Sequence, residues 1–112
     1  MSPEIAARLE SFGILVIAES STVSVFMREE PAGREGETGP CCVAMAGHTA
    51  AGGFSLGSTA VMTGNGPAYL VWREGQARLI ARGSEVAAET EQVEAMRRFS
   101  EDLKAALQLS EP

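Results

Sequence analysis

Residues 68–82 read AYLVWREGQARLIAR. Two strand-like runs, Ala68–Arg73 and Gln76–Arg82, flank Glu74-Gly75, and a two-residue turn fixes the register of the resulting antiparallel hairpin. It sets Arg73 opposite Gln76, Trp72 opposite Ala77, Val71 opposite Arg78 and Leu70 opposite Leu79. Side chains alternate between faces along a strand, so Ala68, Leu70, Trp72, Ala77, Leu79 and Ala81 share the expected core face. Tyr69, Val71, Arg73, Arg78, Ile80 and Arg82 share the other. Aromatic, aliphatic and guanidinium groups mixed in this way have the composition of interface cores, which makes these six the candidate contact residues.

Working outward, Asn65-Gly66 is a strong hairpin signal, and Phe54–Thr63 before it reads as a strand interrupted at Gly57. Gly47–Gly53 (GHTAAGG) is a small-residue connection after a further strand over Cys41–Ala46. Near the start, Ile14–Ala18 is a continuous apolar run, and Thr22–Arg28 alternates Val23, Val25 and Met27 with Ser24, Phe26 and Arg28, so the two form a hairpin about Glu19-Ser20-Ser21. Residues 29–40 hold four Glu, three Gly and two Pro, and they read as an exposed, flexible loop.

Helices close both ends. Ser2-Pro3 is an N-cap followed by proline at the first helical position, and Ile5, Leu9 and Phe12 recur at helical spacing up to Gly13. Thr90 is the expected N-cap of the last helix, whose apolar stripe is Val93, Met96, Phe99, Leu103, Ala106 and Leu107. The expectation is therefore one α+β domain over residues 1–112: an antiparallel sheet of about five to six strands, with a short N-terminal and an amphipathic C-terminal helix.

Composition narrows the function classes. The 112 residues are 45% hydrophobic and carry a net charge of −6. The few cations are dispersed, so neither a nucleic acid nor an anionic membrane is an expected partner. No run approaches the roughly 20 apolar residues of a membrane span, no signal-peptide pattern opens the chain, and the protein reads as cytoplasmic.

Cys41, Cys42 and His48 are the candidates for nucleophile chemistry, since a reactive thiol needs a lowered pKa and His48 is the sole imidazole. Strand-borne cysteine more often packs as a small hydrophobe. Three ligands fall short of a structural zinc site, and the acidic residues Glu29, Glu30, Glu35 and Glu37 lack the pattern of a calcium loop, so no metal or cofactor is expected. Gly52-Gly53 and Gly64-Asn65-Gly66 lack the following helix and lysine of a phosphate loop.

The order of elements resembles small dimerising domains of the Roadblock and profilin type, frataxin-like acidic domains and small secretion chaperones. The resemblance is one of layout, and it implies terminal helices around an antiparallel sheet and no site residues. The first functional expectation is a non-enzymatic binding or scaffold module that works through its sheet surface, with a protein partner or a second copy of itself. The alternatives are a thiol-dependent enzyme or redox protein using Cys41 or Cys42 with His48, and a small-ligand sensor with its pocket under GHTAAGG.

Overall fold

The computed structural model describes residues 2–31 and 38–108. Helix α1 (Pro3–Ser11) starts as its sequence dictates: the Ser2 hydroxyl accepts the Ile5 N–H at 3.2 Å, and Pro3 needs no partner in the first turn. Seven strands follow as an antiparallel meander in sequence order: β1 (Leu15–Glu19), β2 (Val23–Pro31), β3 (Thr38–His48), β4 (Phe54–Thr63), β5 (Gly66–Arg73), β6 (Gln76–Ala81) and β7 (Ser84–Ala87). Helix α2 (Thr90–Leu107) closes the chain.

Both helices lie on one face of the sheet. Met96, Phe99, Leu103, Ala106 and Leu107 of α2, with Leu9 of α1, meet Phe26, Cys42, Ala44, Ala46 and Val61 in a single buried cluster. The alanines of β3 let α2 approach closely, and the large groups of the helix fill that space. Arg8 ties the helices together by donating from Nε to the Ala106 carbonyl at 2.9 Å, one of the end carbonyls that a helix leaves unpaired.

A charged network is built into the same layer. Arg28 donates to both carboxylate oxygens of Glu30 at 2.6 and 2.7 Å, to Asp102 at 2.8 Å and to the Phe12 carbonyl at 3.0 Å. Its guanidinium lies 5.7 Å from the Phe99 ring centre. Burial alone would lower the Arg28 pKa, but the bonds to Glu30 and then Asp102 outweigh it and hold the group above its ordinary value. The network joins β2, α2 and the end of α1, and every carboxylate in it has a partner.

The structure departs from the sequence reading in particular places. The sheet has seven strands, because Arg82-Gly83 forms a further tight turn with φ of 47° and 77°, close to the 53° and 77° of Glu74-Gly75. An arginine in the left-handed region gives little signal, and Ser84–Ala87 is too short to show a period. The β4–β5 turn is Gly64-Asn65, one residue earlier than expected, with Gly66 at φ 95° pairing with Thr63. Glu89, not Thr90, caps α2, through a reciprocal capping box with Gln92.

The expected loop over 29–40 is strand at both ends: Glu29–Pro31 continues β2 and Thr38–Pro40 begins β3. Glu30 is 3% exposed, because two arginines bring it inside. Residues 32–37 of that segment, with Glu35 and Glu37, lie outside the described residues. Gly57 does not interrupt β4. It sits where the β3–β4 register shifts, and a Cβ there would come within 3.1 Å of the Met45 carbonyl.

Candidate functional site: the open face of the sheet

The β5–β6 register is the one that the Glu74-Gly75 turn dictates, with Arg73 opposite Gln76, Val71 opposite Arg78 and Leu70 opposite Leu79. Tyr69, Val71 and Ile80 therefore emerge on the face that carries no helix, and Tyr69 is 46% exposed. Strand pairing extends this patch across the whole sheet. Leu15 pairs with Met27, Met27 with Val43, Val43 with Ala60, Ala60 with Tyr69, Tyr69 with Ile80 and Ile80 with Glu85. One row of side chains thus crosses seven strands and is apolar until its last member. A second row runs from Ala18 through Val25 to Met45.

Ala60 is the smallest side chain of the first row and leaves a hollow at its centre. That hollow holds about 450 Å³ and is walled by Val25, Val43, Met45, Met62 and Tyr69. Two methionines on the wall give a surface that can re-pack around what it meets.

The arginines of the patch stand differently. Glu85 accepts from Arg73 at 2.5 Å and lies 3.4 Å from Arg78, so both cations have a partner within the chain. The hydrogen bond from Arg73, more than the charge of Arg78, holds the Glu85 carboxyl below its usual range. Arg82 sits at the β6–β7 turn, with its Nε 3.7 Å from where a Cβ on Gly66 would lie.

Trp72 was the expected core aromatic of the hairpin, and it is 62% exposed. Its face is right and its height is wrong. α2 packs over β2, β3 and β4, and the tip of the β5–β6 hairpin extends beyond it. Ala68, Leu79 and Ala81 on the same face are buried.

Sequence reasoning found the β5–β6 half of the open face and missed Leu15, Met27, Val43, Met45 and Met62. The signal lay in β2, where Val23, Val25 and Met27 alternate with Ser24, Phe26 and Arg28. Apolar content alone assigns the valines and Met27 to the core. The helices instead cover Ser24 and Phe26, both fully buried, together with the Arg28 network.

The thiols and the imidazole are not brought together. β3 is continuous from Thr38 to His48, so Cys42 and His48 are separated by about 20 Å of extended strand. Cys42 is fully buried, and burial first, then the charge of Glu30, pushes its thiol up to about 12. Burial and Glu29 raise Cys41 as well. These are the opposite of the shifts that make a nucleophile.

His48 is held elsewhere. Its Nε2 is 2.8 Å from the Ser24 hydroxyl, which also lies 3.4 Å from Glu19. A hydrolytic triad places the carboxylate on the imidazole and exposes the serine; here the carboxylate is on the serine, which no substrate reaches. Among the described residues no group of three or more His, Cys, Asp or Glu is placed to hold a metal ion, and no helix is long and apolar enough to cross a membrane. Comparison of the chain with protein-family models, curated proteins and solved structures finds no significant match.

Proposed function

We propose that the chain is a non-catalytic binding module that docks through the open face of its sheet, in the first instance with a second copy of itself. The supporting observation is the apolar row from Leu15 to Ile80, which has no cover within the described chain. At a strand spacing of about 4.8 Å, seven strands and three rows of side chains present a face of roughly 29 by 20 Å. That is roughly 580 Å², about three-quarters of the ~800 Å² per partner that a standard complex buries and near the lower end of that class.

A second copy also fits the charges. A two-fold axis along β4 lays β2 of one copy over β6 of the other. Glu29, exposed near the end of β2, then lies over Arg82, the arginine of the patch that Glu85 does not hold. Reversing either charge alone, Glu29→Arg or Arg82→Glu, should weaken self-association, and the double reversal should restore it. A double variant no stronger than the singles would contradict this arrangement.

A second reading, a small-ligand sensor, has one observation in its favour. A cavity of about 380 Å³ lies under the GHTAAGG segment, lined by His48, Thr49, Gly52, Gly53 and Phe54 with Ser2, Ile5 and Ser21. A thermal-shift screen against small metabolites tests it, and a ligand whose stabilisation survives His48→Ala would not be held there.

A further inference from the structure

The end of the sheet at which α1 begins carries an uncharged cavity. It holds about 380 Å³ and is walled by three segments: the first turn of α1, the β1–β2 turn at Ser21, and the β3–β4 connection from His48 to Phe54. Among the described residues that line it there is no Asp, Glu, Lys or Arg, in a chain with 15 acidic and 9 basic residues. The space at the β5–β6 tip is different, for Arg73, Glu74, Arg78 and Glu85 line it and both arginines reach Glu85. The uncharged cavity shares no residue with the hollow on the open face.

Its walls offer hydroxyl and imidazole groups beside an apolar floor. The Ser2 hydroxyl accepts the Ile5 N–H at 3.2 Å and the Thr49 hydroxyl accepts the Gly53 N–H at 3.0 Å, so each keeps its own proton to donate. Ser21 adds a third hydroxyl. The Ser24 hydroxyl donates its one proton to Glu19 at 3.4 Å, so the 2.8 Å contact with His48 is a bond donated by Nε2. Nδ1 of the neutral ring is then an acceptor. Ile5 and Phe54 supply the floor, and the Phe54 ring is fixed edge-on to His48 and to Phe26, with centroids 5.1 and 6.2 Å apart.

Each property narrows the ligand. A charged molecule would leave water and find no counter-charge in the walls. An apolar one would leave the hydroxyls and the imidazole unpaired. A ring whose hydroxyls both donate and accept, and which turns an apolar face to Ile5 and Phe54, satisfies both kinds of wall. The volume falls at the small end of the range of about 300–1,000 Å³ for small-molecule sites, which suits a single ring. We propose that this cavity binds a neutral, polyhydroxylated small molecule of the size of one sugar ring, an assignment that rests on the ligand-sensor reading above and gives that reading its ligand class. A ring bound here bridges the start of α1 and two turns of the sheet, so binding also raises the melting temperature.

The test is an NMR titration of the isotope-labelled protein with D-glucose, D-galactose, D-mannose, D-ribose and myo-inositol, beside the charged counterparts D-glucuronate and D-glucosamine. At least one neutral compound should shift the amides of residues 4–5, 21–22 and 48–54 with a Kd of about 5 mM or below, and the charged counterparts should bind at least about tenfold more weakly. His48→Phe, which keeps a ring beside Phe54 and removes both nitrogens, should weaken binding by about tenfold or more. Thr49→Val should do the same if the first variant fails to fold. No shifts with any neutral compound at about 50 mM would overturn the proposal, as would equal binding of the charged counterparts or full binding by both variants. A charged or apolar metabolite that shifts these amides while every sugar is silent would overturn this ligand class and leave the sensor reading standing. Silence across all metabolites would end both.

Discussion

The two faces of β2 invert the usual relation between composition and burial, although the covered face of the other strands is apolar. On the covered face of β2, Ser24, Phe26 and Glu30 are buried and Arg28 nearly so, with the charges bonded to one another and to Asp102 of α2. On the open face of the same strand, Val25 and Met27 lead into a row that carries Val43, Tyr69 and Ile80. On this strand apolar content alone does not mark the covered face. Phe26 and the alanines of β3 pack with the side chains of α2, and the charges beside them are paired. The apolar face left over is the one proposed to dock, and four predictions test the contrast between the faces.

The largest effect belongs to the covered face. Phe99 is fully buried at the centre of the core, and Phe99→Ala should cost roughly 3–5 kcal/mol in a denaturant melt. The charge network comes next. Glu30→Leu removes the main partner of Arg28 and leaves it with Asp102, at a cost of roughly 2–3 kcal/mol. If Glu30→Leu is neutral, the buried charges are not what holds α2 to β2.

Cys42 supplies a smaller term with a pH signature. Cys42→Ala should lose about 1–2 kcal/mol to a cavity. The thiol titrates near its ordinary 9.0 in the unfolded chain and near 12 in the fold. Between those values the unfolded state binds fewer protons, so wild-type stability falls as pH rises from 9 to 12. The alanine variant should lose that part of the slope, which urea melts across this pH range would show. Both thiols should also react with a maleimide more slowly than free cysteine at neutral pH.

The smallest effect on stability is expected on the open face. Met45→Glu with Tyr69→Glu replaces two exposed side chains and should move folding stability by no more than about 0.5 kcal/mol each. A double variant that unfolds would mean that this face is core, and the contrast between the faces would collapse.

What the sequence disclosed follows the reach of its signals. The two helices, the α+β class and the β5–β6 register were all legible, because caps, apolar stripes and a two-residue turn act within a few residues of themselves. That register set Tyr69, Val71 and Ile80 on the face away from Leu70 and Leu79, without saying whether a helix covers it. The fate of Trp72 was not legible, since it depends on how far along the sheet α2 extends, a distance that no local pattern encodes. Glu30 was read as loop because its burial requires Arg28, Arg98 and Asp102 to converge from two elements. The β1–β4 half of the open face was hidden for the same reason: alternation separates two faces and is silent on which one the helices will cover.

The open face as a docking surface is the central claim, and the molar mass in solution tests it most directly. Light scattering over a concentration series should give twice the 11.8 kDa of one chain for the wild type. Met45→Glu with Tyr69→Glu should give a folded monomer. A wild type that stays at 11.8 kDa at the highest concentration reached, or a double variant that keeps the mass of two chains, would contradict the account.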